Sequence, residues 1–375
     1  MNKPIRLGIV GACGRGASFK TACDAVQQVA IQAVCDTDAE RLPGARERLG
    51  ARQQYTDYEE MLDRAELDAV IIGTPMQHHA PMAIAALERG LHVLSEVTAA
   101  VSIDECRALV AACKAGKGVY MMAENYTYMK PNQIVKELAR QGLFGTPYYA
   151  EGEYLHELKH MNEHLTPWRR RWQTGIDGIT YGTHSLGPIL QWMPGDRVVR
   201  VCCEGTGVRH SDHTGAPYSQ ASSTLLGKTA RGALIKIRVD MLSDRPHAMT
   251  NYQLQGTDGC YESSRGGPGD RNKIWLRALS RELAWTDLEA FQNLKELADK
   301  YLPEMWREQG AAAARAGHGG GDYFEILDFI DAVRGTRPPV IGIHEAMDMT
   351  LPGLVSQLSI ADGGRWMDVP DSRSW

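Results

Sequence analysis

The sequence predicts an α/β protein, with a doubly wound parallel sheet in the N-terminal third and a strand-rich region with an antiparallel sheet after it. Three observations carry this. Short apolar runs alternate with helical segments through residues 1–125, a glycine-rich turn joins the first run to the first helix, and the chain changes to period-two alternation beyond about residue 146.

The runs read as strands are 5–11, 29–35, 68–74, 92–96 and 119–124. They are short and apolar, as expected of parallel strands buried on both faces. Between them, Thr56-x-x-Glu59 and Ser102-x-x-Glu105 read as capping boxes. The second precedes Cys106, Leu109, Val110 and Cys113 at helical spacing. Later, Ala233, Ile235, Ile237, Val239 and Met241 share one strand face, and Leu234, Lys236, Arg238 and Asp240 the other. Segments 204–220, 263–272 and 311–321 read as loops, and 322–334 and 344–361 as helices.

Composition narrows the function classes. A chain of 375 residues suits two domains of about 100–200 residues each. Its 43% apolar and 23% charged content is that of a soluble globular protein. A net charge of −5 provides no basic footprint for nucleic acid, and no apolar run reaches the ~20 residues of a membrane span. Met1-Asn2-Lys3-Pro4 leads straight into the first apolar run, so a cytoplasmic protein without a signal peptide is expected. Eight cysteines without a C-x-x-C, mostly in apolar stretches, read as buried reduced thiols.

The turn Gly11-Ala12-Cys13-Gly14-Arg15-Gly16 sits between a strand and a helix, the context of a dinucleotide site. Cys13 stands where the middle glycine of G-x-G-x-x-G belongs. Asp36, twenty residues past Gly16 at a strand end, is placed to take ribose hydroxyls. A carboxylate there repels a 2′-phosphate, so the predicted cofactor is NAD. Thr74, Pro75 and His79 follow the next strand and Glu96 the one after, where ligands of open α/β sheets lie.

With these residues, the chain resembles the Gfo/Idh/MocA family. The resemblance rests on Gly8-Ile9-Val10-Gly11-Ala12-Cys13-Gly14-Arg15-Gly16, Val34-Cys35-Asp36-Thr37-Asp38, Gly73-Thr74-Pro75-Met76-Gln77-His78-His79-Ala80 and Leu143-Phe144-Gly145-Thr146-Pro147. It implies an N-terminal Rossmann domain over 1–125 and a C-terminal α/β domain over 126–375, the latter built on a large, mostly antiparallel sheet for substrate and oligomerisation. Sugar dehydrogenases of the family carry Glu-Lys-Pro after the fourth strand. Here the triplet is Glu96-Val97-Thr98, and valine cannot transfer protons.

The chain is similar to the NAD-dependent glycosidase branch, whose members include α-N-acetylgalactosaminidases. The matching motifs are Glu96-Val97, Ala123-Glu124-Asn125, Trp168-Arg169, Tyr181-Gly182-Thr183-His184-Ser185-Leu186-Gly187-Pro188, Gly256-Thr257-Asp258-Gly259 and Gly317-His318-Gly319-Gly320-Gly321-Asp322. Two departures are Gly182, where relatives often have proline, and His247, where a tyrosine is expected.

That resemblance implies a glycoside hydrolase working by transient C3 oxidation, elimination, hydration and re-reduction, on an N-acetylhexosaminide or an anionic sulfosugar glycoside. His184 and Tyr181 are then catalytic. Arg169, Trp168, Tyr126, His247, His318 and Asp322 bind substrate. Gly11, Cys13, Gly14, Arg15, Gly16, Asp36, Thr74, Pro75, His79, Glu96 and Asn125 hold NAD. Partners are a small carbohydrate and further copies of the chain, with no nucleic acid and no membrane. The alternatives are an NAD-dependent sugar or polyol dehydrogenase and a non-enzymatic NAD- or sugar-binding regulator. Histidine titrates near neutrality without tuning, which suits the proton transfers of such a route. In Trp168-Arg169-Arg170-Arg171-Trp172 the indoles offer stacking faces, and the three arginines cannot all face one ligand. His156-Glu157-Leu158-Lys159-His160 spells H-E-x-x-H, but the extended zinc pattern fails at Glu163 and Thr166, and no metal is expected.

Overall fold

A computed structural model describes residues 3–246, 248–280, 282–290 and 295–375. The chain forms two compact units. The first is Met1–Tyr128 with Gly310–Met347 and Ser372–Trp375; the second is Met129–Gln309 with Asp348–Asp371.

The first unit holds a six-stranded parallel sheet: β1 (Ile5–Val10), β2 (Val29–Cys35), β3 (Gln53–Tyr55), β4 (Ala69–Ile72), β5 (His92–Glu96) and β6 (Tyr120–Ala123), in the order β3-β2-β1-β4-β5-β6. The order reverses at β1/β4, the switch point of a doubly wound sheet. The apolar runs predicted five of these strands. The sixth, β3, is a three-residue edge strand, and its Gln-Gln-Tyr sequence carries no apolar signal. Ser102 caps its helix as expected, its Oγ accepting from the Glu105 amide at 3.1 Å. The other box shifts by one residue, because Asp57 rather than Thr56 accepts from the Glu60 amide, at 2.8 Å. The helix Gly321–Val333 packs in this unit against the helix Lys20–Val26 and the turn Asn125–Tyr128.

The second unit is built on nine strands: β7 (Pro147–Leu155), β8 (Val198–Gly205), β9 (Ser222–Thr229), β10 (Leu234–Asp240), β11 (Thr250–Gly256), β12 (Gly259–Glu262), β13 (Lys273–Leu276), β14 (Thr286–Asp287) and β15 (Met367–Asp368). Their order is β14-β13-β12-β11-β7-β10-β9-β8-β15. Among the described residues the pairs are antiparallel except β7 with β10. The alternation in β10 is as expected, with Ile235, Ile237 and Val239 buried. Asp240 departs from it. Its carboxylate is buried, accepting from the Ser243 amide and hydroxyl, the Leu242 amide and Arg238. Burial raises its pKa, but these donors prevail and hold it below the usual range.

The helix Thr183–Trp192 lies against β7. Gly152 permits this approach, since a Cβ there would stand 2.9 Å from the Ser185 carbonyl oxygen. Part of the segment 311–321 read as a loop is helical, because the helix Glu304–Ala313 runs into it. No helix among the described residues is long and apolar enough to cross a membrane. All eight cysteines are free, and none is exposed.

Candidate active site

The residues expected to hold the cofactor lie in the first unit, where glycines draw the turn and the end of β4 together. Gly11 has φ +76°, and a Cβ on it would meet the Gly73 carbonyl oxygen at 2.4 Å. A Cβ on Gly73 would stand 2.6 Å from the Gly16 nitrogen. The turn and the end of β4 therefore interlock backbone to backbone. Gly14 is different, because a Cβ there meets nothing nearer than 3.8 Å, which leaves room above the turn.

Asp36 ends β2 beside this turn. Its carboxylate accepts from the Cys13 amide at 2.8 Å and the Asp38 amide at 3.0 Å. Burial, reinforced by Asp36, pushes the Cys13 thiol up to about 11, so it is no nucleophile. Arg15 pairs with Glu96 at the end of β5 and lies over the Phe19 ring, 4.9 Å from its centroid. Burial opposes the Arg15 charge, but Glu96, Asp322 and Glu325 outweigh it and hold the guanidinium pKa above its ordinary value.

Thr74 and Pro75 lead into the short helical turn Met76–His78. His79 is buried, with Nδ1 2.8 Å from the Thr98 carbonyl and Nε2 2.9 Å from the Thr74 carbonyl. Burial pulls its pKa below the ordinary value against the pull of those two oxygens. A neutral ring donates to only one of these carbonyls, and both nitrogens are turned toward the segments after β4 and β5.

Asn125, at the end of β6, donates from Nδ2 to Asp322 Oδ1 at 3.1 Å. Its own Oδ1 is buried with no partner among the described residues. A bound dinucleotide's amide or hydroxyl can satisfy that acceptor. With the open Gly14 and the carboxylate of Asp36, these features fit NAD. Asp322 also holds His318, whose Nδ1 lies 2.9 Å from Oδ2. The Tyr126 ring is 6.5 Å from the His318 ring. Nearby Glu325 is buried, and neither of its oxygens has a partner among the described residues. Burial first, then its acidic neighbours Asp322, Glu96 and Glu124, push its pKa well above the usual carboxylate range.

In the second unit four rings gather. The Tyr154 ring lies 5.4 Å from Tyr181, 5.5 Å from His184 and 5.7 Å from His156, and Tyr181 lies 5.4 Å from His184. The Tyr154 hydroxyl is 2.9 Å from His156 Nδ1. Tyr252 fixes the start of the His184 helix by donating to the His184 carbonyl at 2.5 Å. The sequence singles out Tyr181 and His184, and the structure adds Tyr154 to their ring cluster. The available signal was the Tyr-x-His pair at the end of a strand.

The arginines divide. Arg169 Nη1 donates to Gln173 Oε1 at 2.6 Å, its guanidinium lies over Trp168 at 4.6 Å, and its Nε is buried with no partner among the described residues. Arg170 instead pairs with Asp212 at 2.9 Å and donates to the Pro217 carbonyl at 2.8 Å, tethering the loop between β8 and β9. Arg171 lies over Trp172. His156 precedes the helix Lys159–His164 that carries His160, so H-E-x-x-H does not form one helical face. His247 lies outside the described residues.

Comparison with known proteins places both halves. The profile of the oxidoreductase family with an NAD-binding Rossmann fold matches residues 5–124. That of the glycosyl hydrolase 109 C-terminal domain matches 128–374. The chain belongs to glycosyl hydrolase family 109. A family 109 protein of Saccharopolyspora erythraea is 30% identical, over 99% of this chain and 83% of its own. An α-N-acetylgalactosaminidase of Shewanella oneidensis is 28% identical, over 98% and 84%. Among solved structures, levoglucosan dehydrogenase in complex with NADH and L-sorbose shares the fold, with a TM-score of 0.78 and 18% identity over 98% of this chain and 100% of that one. This family 109 chain is thus an enzyme of the Gfo/Idh/MocA type with NAD as its cofactor.

Proposed function

We propose that the protein hydrolyses a hexose-derived glycoside by transient oxidation at C3, with an N-acetylhexosaminide as the favoured substrate. The observation carrying this reading is the group of buried Tyr154, Tyr181 and His184 with half-buried His156, in a chain whose lysine position holds Val97. Bound NAD supplies reversible two-electron oxidation of the sugar. Asp36 would hold its ribose, the 11–16 turn its pyrophosphate, and Asn125 a polar group of the nicotinamide riboside.

Once C3 is a ketone, the neighbouring C2 proton is acidic. His184 removes it, because an imidazole works as a base near neutral pH. Tyr181 relays or donates a proton, and Tyr154 orients the rings through its bond to His156. The aglycone leaves C1 and water adds in its place. Arg169 and Trp168 grip the sugar, and the unpartnered Arg169 Nε also suits an anionic sugar such as a sulfoquinovoside.

The test is incubation of the NAD-bound protein with a panel of p-nitrophenyl glycosides in D₂O. Aglycone release without net NADH, with deuterium at C2, is expected. Stoichiometric NADH from free sugars would replace the reading with a dehydrogenase. Retention of the original hydrogen at C2 would exclude elimination.

A further inference from the structure

Oxidising an alcohol requires somewhere for the hydroxyl proton to go. The residue that would receive it at position 97 is a buried valine. We propose that His318, held by Asp322, is the base that takes this proton and later returns it. This rests on the NAD-dependent reading above. The alcohol loses a hydride to the oxidised nicotinamide and a proton to His318 Nε2, leaving a carbonyl; both return when the carbonyl is reduced.

Four observations support it. Nδ1 of His318 faces both Asp322 oxygens, at 3.0 and 2.9 Å, so Nε2 is the nitrogen left to meet a ligand. The Asp322 side chain is 3% exposed and that of His318 39%, a buried orienting carboxylate behind an accessible imidazole. Asp322 is shared with Asn125, whose orphaned oxygen belongs to the cofactor set. The backbone is also held in an uncommon conformation, with φ +82° at Gly317, +39° at His318, +63° at Gly319 and +95° at Gly320. A Cβ on Gly317 would come within 2.7 Å of Asp322 Oδ2, so glycine there lets the carboxylate reach the ring. The other groups around the dyad are Tyr126 on the turn after β6 and, behind Asp322, Arg15, Glu96, Glu124 and Glu325.

The experiment compares wild type, His318→Gln and Asp322→Asn as NAD-bound protein. His318→Gln is expected to keep its NAD and its melting temperature while kcat falls by about 10²–10⁴-fold. Asp322→Asn removes the carboxylate that orients the ring, and its kcat is expected to fall as well while NAD is kept. Full turnover in His318→Gln overturns the proposal. If that variant does not fold, ¹⁵N-histidine-labelled wild type decides: sugar binding should move the His318 Nε2 resonance, and an unmoved resonance overturns it. A wild type that binds no dinucleotide defeats both readings. A wild type that hydrolyses nothing but reduces added NAD on a free sugar defeats only the hydrolase reading, and the same loss in His318→Gln then supports the dyad.

Discussion

The hydroxyl of Tyr154 lies 2.9 Å from Nδ1 of His156, and the Tyr154 ring sits within 5.5 Å of both Tyr181 and His184. One residue near the end of β7 thus joins two histidines and a second tyrosine. Tyr154→Phe keeps the ring packing and loses the hydrogen bond. Its kcat should fall about a hundredfold, the lower end for a proton-transfer network. His184→Ala should abolish turnover. Both should retain NAD, measured as dinucleotide released on denaturation; near-normal turnover of His184→Ala would remove it from the mechanism.

Gly73→Ala tests the interlock between the 11–16 turn and the end of β4. Its methyl would meet the Gly16 backbone at 2.6–2.7 Å, and backbone cannot rotate away. Overpacking of this kind costs about 1–3 kcal/mol. The expected result is a lower melting temperature together with weaker NAD binding by calorimetry. Gly14→Ala, with open space above it, should melt as wild type does.

Asp36→Asn tests cofactor choice. A charge-assisted hydrogen bond is worth about 1.5–3 kcal/mol, so NAD affinity should drop at least tenfold. NADP should lose less, because the charge that repels its 2′-phosphate is gone. Equal losses for both dinucleotides in titration calorimetry would show that Asp36 serves the turn alone, through the Cys13 and Asp38 amides.

Glu325→Gln tests the buried carboxyl. Its folded pKa lies well above the unfolded value. Its contribution to stability is therefore full below about pH 4.3, the unfolded value, and is lost as pH rises toward the folded one. The variant removes that dependence. The melting temperature of Glu325→Gln relative to wild type should climb as the pH rises above 5, and a pH-independent difference would show that the carboxyl is ionised in the fold.

Much of this was legible in the chain itself. Apolar runs set the parallel strands, period-two alternation set the inner face of β10, and Gly11, Gly16 and Asp36 announced a dinucleotide turn. Val97 signalled that the usual lysine chemistry is missing. These signals are local, since periodicity, caps and turn chemistry act over a few residues. Three-dimensional packing decided the rest. It sent Arg170 to Asp212 while Arg169 kept a buried nitrogen unpartnered, and it sealed His79 between two carbonyls. It also brought Asn125 to Asp322 across 197 positions of chain. No spacing rule encodes such pairs, because the partners are chosen by how helices settle on sheets after the local elements have formed.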